Sequence, residues 1–221
     1  MIGFYNYTVI ATYVSLASSV AGIICAVSGK PIVSVFCLLF SGLLDTFDGK
    51  IARTKKDRSV REQRFGVQID SLSDLVCFGV LPAVIGYAAA PILPRKSVLF
   101  AAYAVVASIY ILGGLIRLSF FNIGEEEARD SHDKSERKVY TGLPITTSAL
   151  IFPILYMVRR IPGIPPAAFT GIWMAAMLIV AFCFVGKFHI RKPTNRGAYA
   201  LIGLGILIAA AVGVVYGLTH R

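Results

Sequence analysis

The sequence is poor in the residues that build small metal knuckles and disulfide frameworks. Among 221 residues it has four cysteines, three histidines and one tryptophan, and charged residues make up only 15%. Each cysteine stands alone in an apolar segment without a C-x-x-C pair, which argues against a zinc knuckle or a disulfide framework. No linker rich in Pro or Ser, no repeat and no low-complexity tract divides the chain, so we expect a single domain over residues 1–221.

Apolar sequence dominates instead. Hydrophobic residues make up 56% of the chain and the mean hydropathy is +0.72, which is too apolar for a soluble domain. A helix needs about 20 residues to cross a bilayer, and most of the apolar runs approach that length. We therefore predict an all-α, polytopic transmembrane bundle whose first span is retained rather than cleaved. The seven predicted spans are Tyr7–Val27, Pro31–Leu44, Leu75–Ala90, Ser97–Ile116, Leu143–Val158, Pro166–Val185 and Ala198–Leu218.

The net charge of +10 follows the predicted loops. If the N-terminus is cytoplasmic, residues 50–64, 117–138 and 187–196 hold sixteen of the 22 Lys and Arg residues on that side. This asymmetry is what the positive-inside rule predicts, and it sets basic side chains beside anionic lipid headgroups rather than nucleic acid. We expect a multi-pass protein of the cell (inner or cytoplasmic) membrane with its working face toward the cytoplasm.

Four aspartates interrupt the apolar sequence between residues 43 and 79: Asp45, Asp48, Asp70 and Asp74. Spacings of three and four residues place Asp45 with Asp48, and Asp70 with Asp74, on one face of a helix. The two pairs can then face each other. A charged group at membrane depth costs about 2.5 to 3.5 kcal/mol on insertion scales, so these carboxylates require a partner.

Two explanations are open for this cluster. The aspartates could pair with the basic residues between Lys50 and Arg64, or they could bind a divalent ion. Gly49, Ala52 and Gly66 accompany the carboxylates, and such small residues let helices or a ligand approach closely, which favours the second explanation. A set of carboxylates without His or Cys suits Mg²⁺ or Mn²⁺ better than zinc.

The same segment resembles the signature of the CDP-alcohol phosphotransferase family. That signature reads D-x-x-D-G-x-x-A-R, a spacer, then G-x-x-x-D-x-x-x-D. The spacer here, between Arg53 and Gly66, has twelve residues and is longer than the usual pattern. All of the fixed positions are filled, by Asp45, Asp48, Gly49, Ala52, Arg53, Gly66, Asp70 and Asp74.

The resemblance implies a six-helix catalytic core, at about residues 8–193, and one additional C-terminal span at about 197–218. It implies a site open to the cytoplasmic leaflet, two Mg²⁺ or Mn²⁺ ions and a homodimer. Asp45, Asp48 and Asp70 would bind metal, while Asp74 would lie beside the metals and act as the general base. A CDP-linked lipid would contact a subset of the signature residues, namely Asp45, Gly49, Ala52, Arg53 and Gly66. Arg53 could instead be a simple cation at a helix end.

Three further segments resemble the phosphatidylserine synthase branch of that family. They are Ile116–Asn122, Tyr140–Pro144 and Gly186–Pro193. This likeness implies transfer of a phosphatidyl group from CDP-diacylglycerol to L-serine, with Arg117 and Asn122 as candidate acceptor-binding residues. Equally, Arg117 could anchor the chain at the membrane edge and Asn122 could end a helix.

Two alternatives to this activity differ in kind. The acceptor could be glycerol 3-phosphate or an inositol phosphate, with the same chemistry. The protein could also be an ion-coupled transporter, but that would require ionisable groups along a path through the bilayer, and here the acids gather near one leaflet.

Overall fold

A computed structural model of the protein describes residues 3–89, 97–130, 139–159, 164–187, 189–191 and 195–219. Short 3₁₀ turns at Tyr7–Val9 and Ile145–Thr147 precede two of the helices, and a π-helical segment at Leu75–Val80 joins two others. Two short strands, β1 (Val139–Thr141) and β2 (His189–Arg191), pair antiparallel. The α-helices are α1 (Ile10–Val27), α2 (Pro31–Thr54), α3 (Val60–Asp74), α4 (Leu81–Ala89), α5 (Val98–Asp130), α6 (Ser148–Val158), α7 (Pro166–Val185) and α8 (Asn195–Thr219).

The predicted all-α membrane bundle is confirmed. In the described part of the chain, five helical stretches are long and apolar enough to cross a membrane. The fifth and seventh predicted spans are also helical, but their apolar helices, Ile145–Val158 and Ile202–Val214, are shorter. The chain is a multi-pass membrane protein.

Several helices extend beyond the predicted spans. α2 continues ten residues past the predicted end at Leu44, to Thr54, and α3 begins at Val60, before the predicted start at Leu75. The aspartates therefore lie within helices. α5 runs on to Asp130, so the polar stretch that begins at Asn122 starts as helix rather than loop. Residues 125–129 are three Glu, one Ala and one Arg, which are good helix formers even where no apolar face demands a helix.

A tight turn sets α2 against α1. The N–H of Lys30 donates to the carbonyl of Cys25 at 2.8 Å and the N–H of Gly29 to that of Ala26 at 3.1 Å. This is the Schellman arrangement, and it requires the left-handed φ of +79° that Gly29 adopts. Pro31 follows at the first turn of α2, where its missing N–H costs nothing.

Small and hydroxyl residues hold the two helices close together. Ser34 Oγ donates to the carbonyl of Gly22 at 2.6 Å, and the hydroxyls of Ser19 and Ser41 lie 2.9 Å apart. A Cβ on Gly22 would lie 2.9 Å from the Cβ of Cys37. Buried hydroxyls that bond across the interface are satisfied without water, so α2 is fixed against α1 along its length.

The aromatic core lies on the other side of the bundle. Trp173 of α7 is fully buried and packs against Phe152 at 5.1 Å and Phe169 at 5.6 Å between ring centroids. A Cβ on Gly86 of α4 would lie 2.0 Å from Trp173 Nε1. Only glycine at this position lets α4 approach the indole, so this core fixes the position of α4. Because the π-helical segment joins α4 to α3, it also fixes the end of α3 at Asp74.

The π-helical segment begins directly after Asp74. The N–H of Leu81 donates to the carbonyl of Val76, five residues earlier. Pro82 has no N–H, and the carbonyl of Phe78, four residues before it, accepts a hydrogen bond from the buried hydroxyl of Tyr110. The side chain of Tyr110 thus replaces a backbone donor.

Candidate metal and substrate site

The four aspartates project from α2 and α3, and their carboxylates meet between the two helices. One carboxylate oxygen from each of Asp45, Asp70 and Asp74 lies within 4.8 Å of the others. The carboxylates also contact each other in pairs across the interface, Asp45 with Asp74 and Asp48 with Asp70. The predicted approach of the two helix faces is therefore confirmed, although Asp48 lies outside the triad of carboxylate oxygens.

Two basic residues between Arg53 and Gly66 form ion pairs with glutamates. Lys55 Nζ lies 2.7 Å from Glu62 Oε1, and Arg64 lies 3.3 Å from Glu126. Neither of these pairs includes an aspartate of the cluster. Asp48 and Asp74 are only 9% exposed, so bulk water does little to separate the charges of this cluster. Clustered oxygen ligands in such a setting fit a hard divalent cation, and the triad could hold one.

A cavity of about 550 Å³ opens beside the cluster. The ends of α1, α2, α3 and α5 and the spacer between α2 and α3 surround it. It contains both carboxylates and small residues, so a phosphate-bearing ligand could approach the backbone closely. Of the predicted site residues it is lined by Asp48, Gly49, Ala52, Gly66, Asp70, Asp74 and Asn122.

Arg53 lies in the last turn of α2, but its side chain falls outside the described part of the structure. Its predicted contact with the lipid therefore stays a prediction. Asn122 lies in the cavity wall, and its Oδ1 accepts a hydrogen bond from Ser71 Oγ at 3.0 Å. Because α5 continues to Asp130, the interpretation of Asn122 as a helix end is wrong.

Arg117 lies one turn earlier on α5 and does not line the described cavity. It is 6% exposed, and its Nε donates to the carbonyl of Leu143 at 3.2 Å. Its guanidinium also lies 5.3 Å from the ring centroid of Phe121. Arg117 thus stabilises the turn at Gly142, whose φ of +80° favours glycine. Its buried side chain does not fit the alternative of an anchor at the lipid edge.

Several side chains of the cavity were not predicted from the sequence, and Arg58, Gln63 and Glu125 are among them. Arg58 comes from the spacer, Gln63 from the first turns of α3 and Glu125 from the continuation of α5. The signature fixes no residue at these positions. The unusual length of the spacer was a signal that one of its cations, such as Arg58, could reach the site. The position of Glu125 could not be predicted, because it depends on the unexpected length of α5.

A second cavity, of about 400 Å³, is almost entirely apolar. It lies between α2, α6 and α8, with Phe40 and Ile206 among its walls. Thr46, next to Asp45 in the sequence, also lines it, so this apolar space begins one residue from the carboxylate cluster.

Comparison with known proteins agrees with the geometry. The chain is similar to the CDP-diacylglycerol–serine O-phosphatidyltransferase of Saccharomyces cerevisiae, with 31% identity over 68% of this chain and 54% of the yeast protein. It is 30% identical to the archaetidylserine synthase of Methanothermobacter thermautotrophicus over 64% of this chain and 53% of that protein. It therefore spans about half the length of these two relatives.

A bacterial relative is covered more fully. The chain is 27% identical to a CDP-diacylglycerol–serine O-phosphatidyltransferase of Helicobacter pylori over 96% of this chain and 82% of that protein. The family model for CDP-alcohol phosphatidyltransferase matches residues 5–186. This range includes the whole aspartate cluster and all of the residues that line its cavity. The chain belongs to the CDP-alcohol phosphatidyltransferase family.

Proposed function

We propose that the protein is a membrane transferase that moves the phosphatidyl group of CDP-diacylglycerol to L-serine, giving phosphatidylserine and CMP. The observation that carries this proposal is the carboxylate cluster of α2 and α3 beside a cavity with small residues in its walls. The serine-transferring relatives support the choice of acceptor.

The metal is proposed to be Mg²⁺ or Mn²⁺, as two ions held by Asp45, Asp48, Asp70 and Asp74. When bound, such ions neutralise the negative charge of a diphosphate and of the departing phosphate. Four oxygen-donor side chains divided between two helices offer enough ligands to share between two ions, and Asp48 extends the set beyond the triad.

The protein groups would bind the donor and move one proton. Gly49 and Ala52 leave room for the nucleotide, Gly66 leaves room for the side chain of Arg58, and Arg53 is proposed to contact the diphosphate. Asp74 accepts the proton of the serine hydroxyl as its oxygen bonds to the lipid-side phosphorus. The bond from that phosphorus to the CMP oxygen breaks in the same displacement, so no covalent enzyme intermediate is required.

The acceptor is proposed to bind on the α5 side of the cavity. Asn122 stands in the wall, where its Oδ1 accepts from Ser71 Oγ, and its amide NH₂ is left to donate to a polar ligand. Arg117 is proposed to act through the turn at Leu143, whose carbonyl it binds, and so to shape the acceptor side.

The apolar cavity is proposed to take an acyl chain of the donor. Its wall includes Thr46, the residue after Asp45 on α2, so one lipid could place its head at the aspartates and a chain between α2 and α8. This arrangement suits a site at the cytoplasmic leaflet of the cell membrane, as the loop charges predict. A homodimer stays a prediction.

The decisive experiment is CMP release by the purified protein in detergent from CDP-diacylglycerol and Mn²⁺ or Mg²⁺. L-serine, glycerol 3-phosphate and an inositol phosphate are supplied in parallel. Release that depends on serine is the expected result. Release that depends only on a phosphorylated polyol would move the acceptor and keep the chemistry, while no release with any acceptor, together with ion flux in sealed vesicles, would favour the transporter.

A further inference from the structure

The spacer of the aspartate motif brings an unpredicted cation into the cavity. Arg58 lies between α2 and α3 and lines the same cavity as Asp70 and Asp74. Its guanidinium covers Gly66, where an added Cβ would lie 2.5 Å from Arg58 Nη2. The glycine of the motif therefore gives Arg58 its place, and any other side chain there would displace the guanidinium.

The guanidinium of Arg58 is only partly used by the protein. Nη1 reaches the carbonyl of Ala52 and Nη2 that of Glu62, both at a long 3.4 Å. Nε is shielded from solvent and has no hydrogen-bond partner in the part of the chain that the structure describes. A buried N–H without an acceptor is costly, so a small turn of the guanidinium that presents this edge to a ligand oxygen in the cavity is favourable.

The neighbouring residues hold the backbone of Arg58 in this position. Gln63 Nε2 donates to the carbonyl of Arg58 at 3.1 Å, and Ser59 caps α3 by accepting from the N–H of Glu62. Glu62 is only 7% exposed and also accepts from Lys55 and from the side chain of Asn6, which precedes α1. These contacts fix the spacer at both ends, so little conformational freedom is left to lose when a ligand binds Arg58.

The chemistry of the free edge identifies its ligand. Nε and the adjacent Nη form a planar pair of donors that matches two oxygens of one phosphate. The described carboxylates in ion-pair range of spacer cations belong to glutamates bound to Lys55 and Arg64, so Arg58 keeps its charge available to the cavity. An anionic ligand between Arg58 and the aspartates would meet this cation on one side and metal ions on the other.

We propose that Arg58 binds the diphosphate of the nucleotide-activated substrate through Nε and the adjacent Nη. The inference rests on the proposed function for the identity of that substrate. It adds a second cation to the donor site, from a position that the motif leaves unspecified.

The test measures binding rather than turnover. Full-length protein in detergent is titrated with Mn²⁺ alone, and then with CDP at saturating Mn²⁺, by isothermal titration calorimetry. Arg58→Gln should weaken CDP binding about 10- to 100-fold, the loss expected for a charge-assisted hydrogen-bond pair, and leave Mn²⁺ binding unchanged. Arg58→Lys keeps the charge without the paired donors, so its affinity for CDP should lie between that of the unmodified protein and that of Arg58→Gln.

Arg61→Gln is the matched control. Arg61 is exposed on the first turn of α3 and does not line the cavity, so this variant should bind CDP as the unmodified protein does. Unchanged CDP binding by Arg58→Gln, an equal loss in Arg61→Gln, or a parallel loss of Mn²⁺ binding would each overturn the proposal. If no acceptor supports CMP release, the transfer proposal fails, but CDP binding still decides the role of Arg58.

Discussion

Replacing Asp74 by asparagine separates metal binding from proton transfer. Asp74 lies in the triad with Asp45 and Asp70, so it is near enough to the proposed metal to serve either role. Asparagine keeps an oxygen of similar size that can still ligate Mn²⁺, but it cannot accept a proton. We expect turnover in the CMP-release assay to fall about 10²- to 10⁴-fold, as for other losses of a general base.

The same variant should lose little affinity for Mn²⁺. Two carboxylates of the triad remain, and Asp48 still contacts Asp70, so the dissociation constant should rise no more than about tenfold, or ~1.4 kcal/mol. The assay is run at saturating Mn²⁺, with Asp57→Asn, an exposed carboxylate of the spacer, as the control. Turnover restored by excess Mn²⁺ would refute the reasoning, because Asp74 would then act only as a ligand.

Three further outcomes follow from the structure. Chelation by EDTA should abolish CMP release and added Mn²⁺ or Mg²⁺ should restore it, because the site offers only oxygen ligands of the kind these ions prefer. Gly86→Ala should lower the free energy of unfolding by about 1 to 3 kcal/mol, because its Cβ would lie 2.0 Å from Trp173, while Gly171→Ala, with nothing within 4 Å, should not. Thermal unfolding in detergent measures both. Tyr110→Phe should cost about 1 to 3 kcal/mol in the same assay, since the carbonyl of Phe78 loses its donor.

The membrane helices were predictable because apolar length decides them. Hydropathy located the apolar helices of the bundle, but it placed the end of α2 at Leu44 and the start of the next span at Leu75, and so it missed α3. The helical turns that hydropathy missed carry the aspartates and flank the spacer. There, polar residues continue a helix that packs on its neighbours. Hydropathy cannot distinguish such polar helix from loop, so the helical position of the site required the tertiary structure.

The cluster itself was predictable from spacing. Two aspartates three or four residues apart share a helix face whatever lies around them, and the structure brings the two faces together. Arg117 was less predictable, because the carbonyl it binds at Leu143 belongs to a segment distant in sequence. The single domain, the homodimer and the roles of the individual site residues stay predictions.

Packing outside the cluster explains why carboxylates can be held so close. Two ionised carboxylates within 4.8 Å of each other would repel by at least about 3 kcal/mol at an effective dielectric constant of about 20. The buried serine contacts with α1 hold α2 in place. The contact of Gly86 with Trp173 holds α4, which continues the segment that begins with α3. These contacts oppose the repulsion without neutralising it, and a divalent cation would remove its cause. The bundle therefore maintains, at a cost in stability, an arrangement of charges that the proposed metal and phosphate ligand would stabilise.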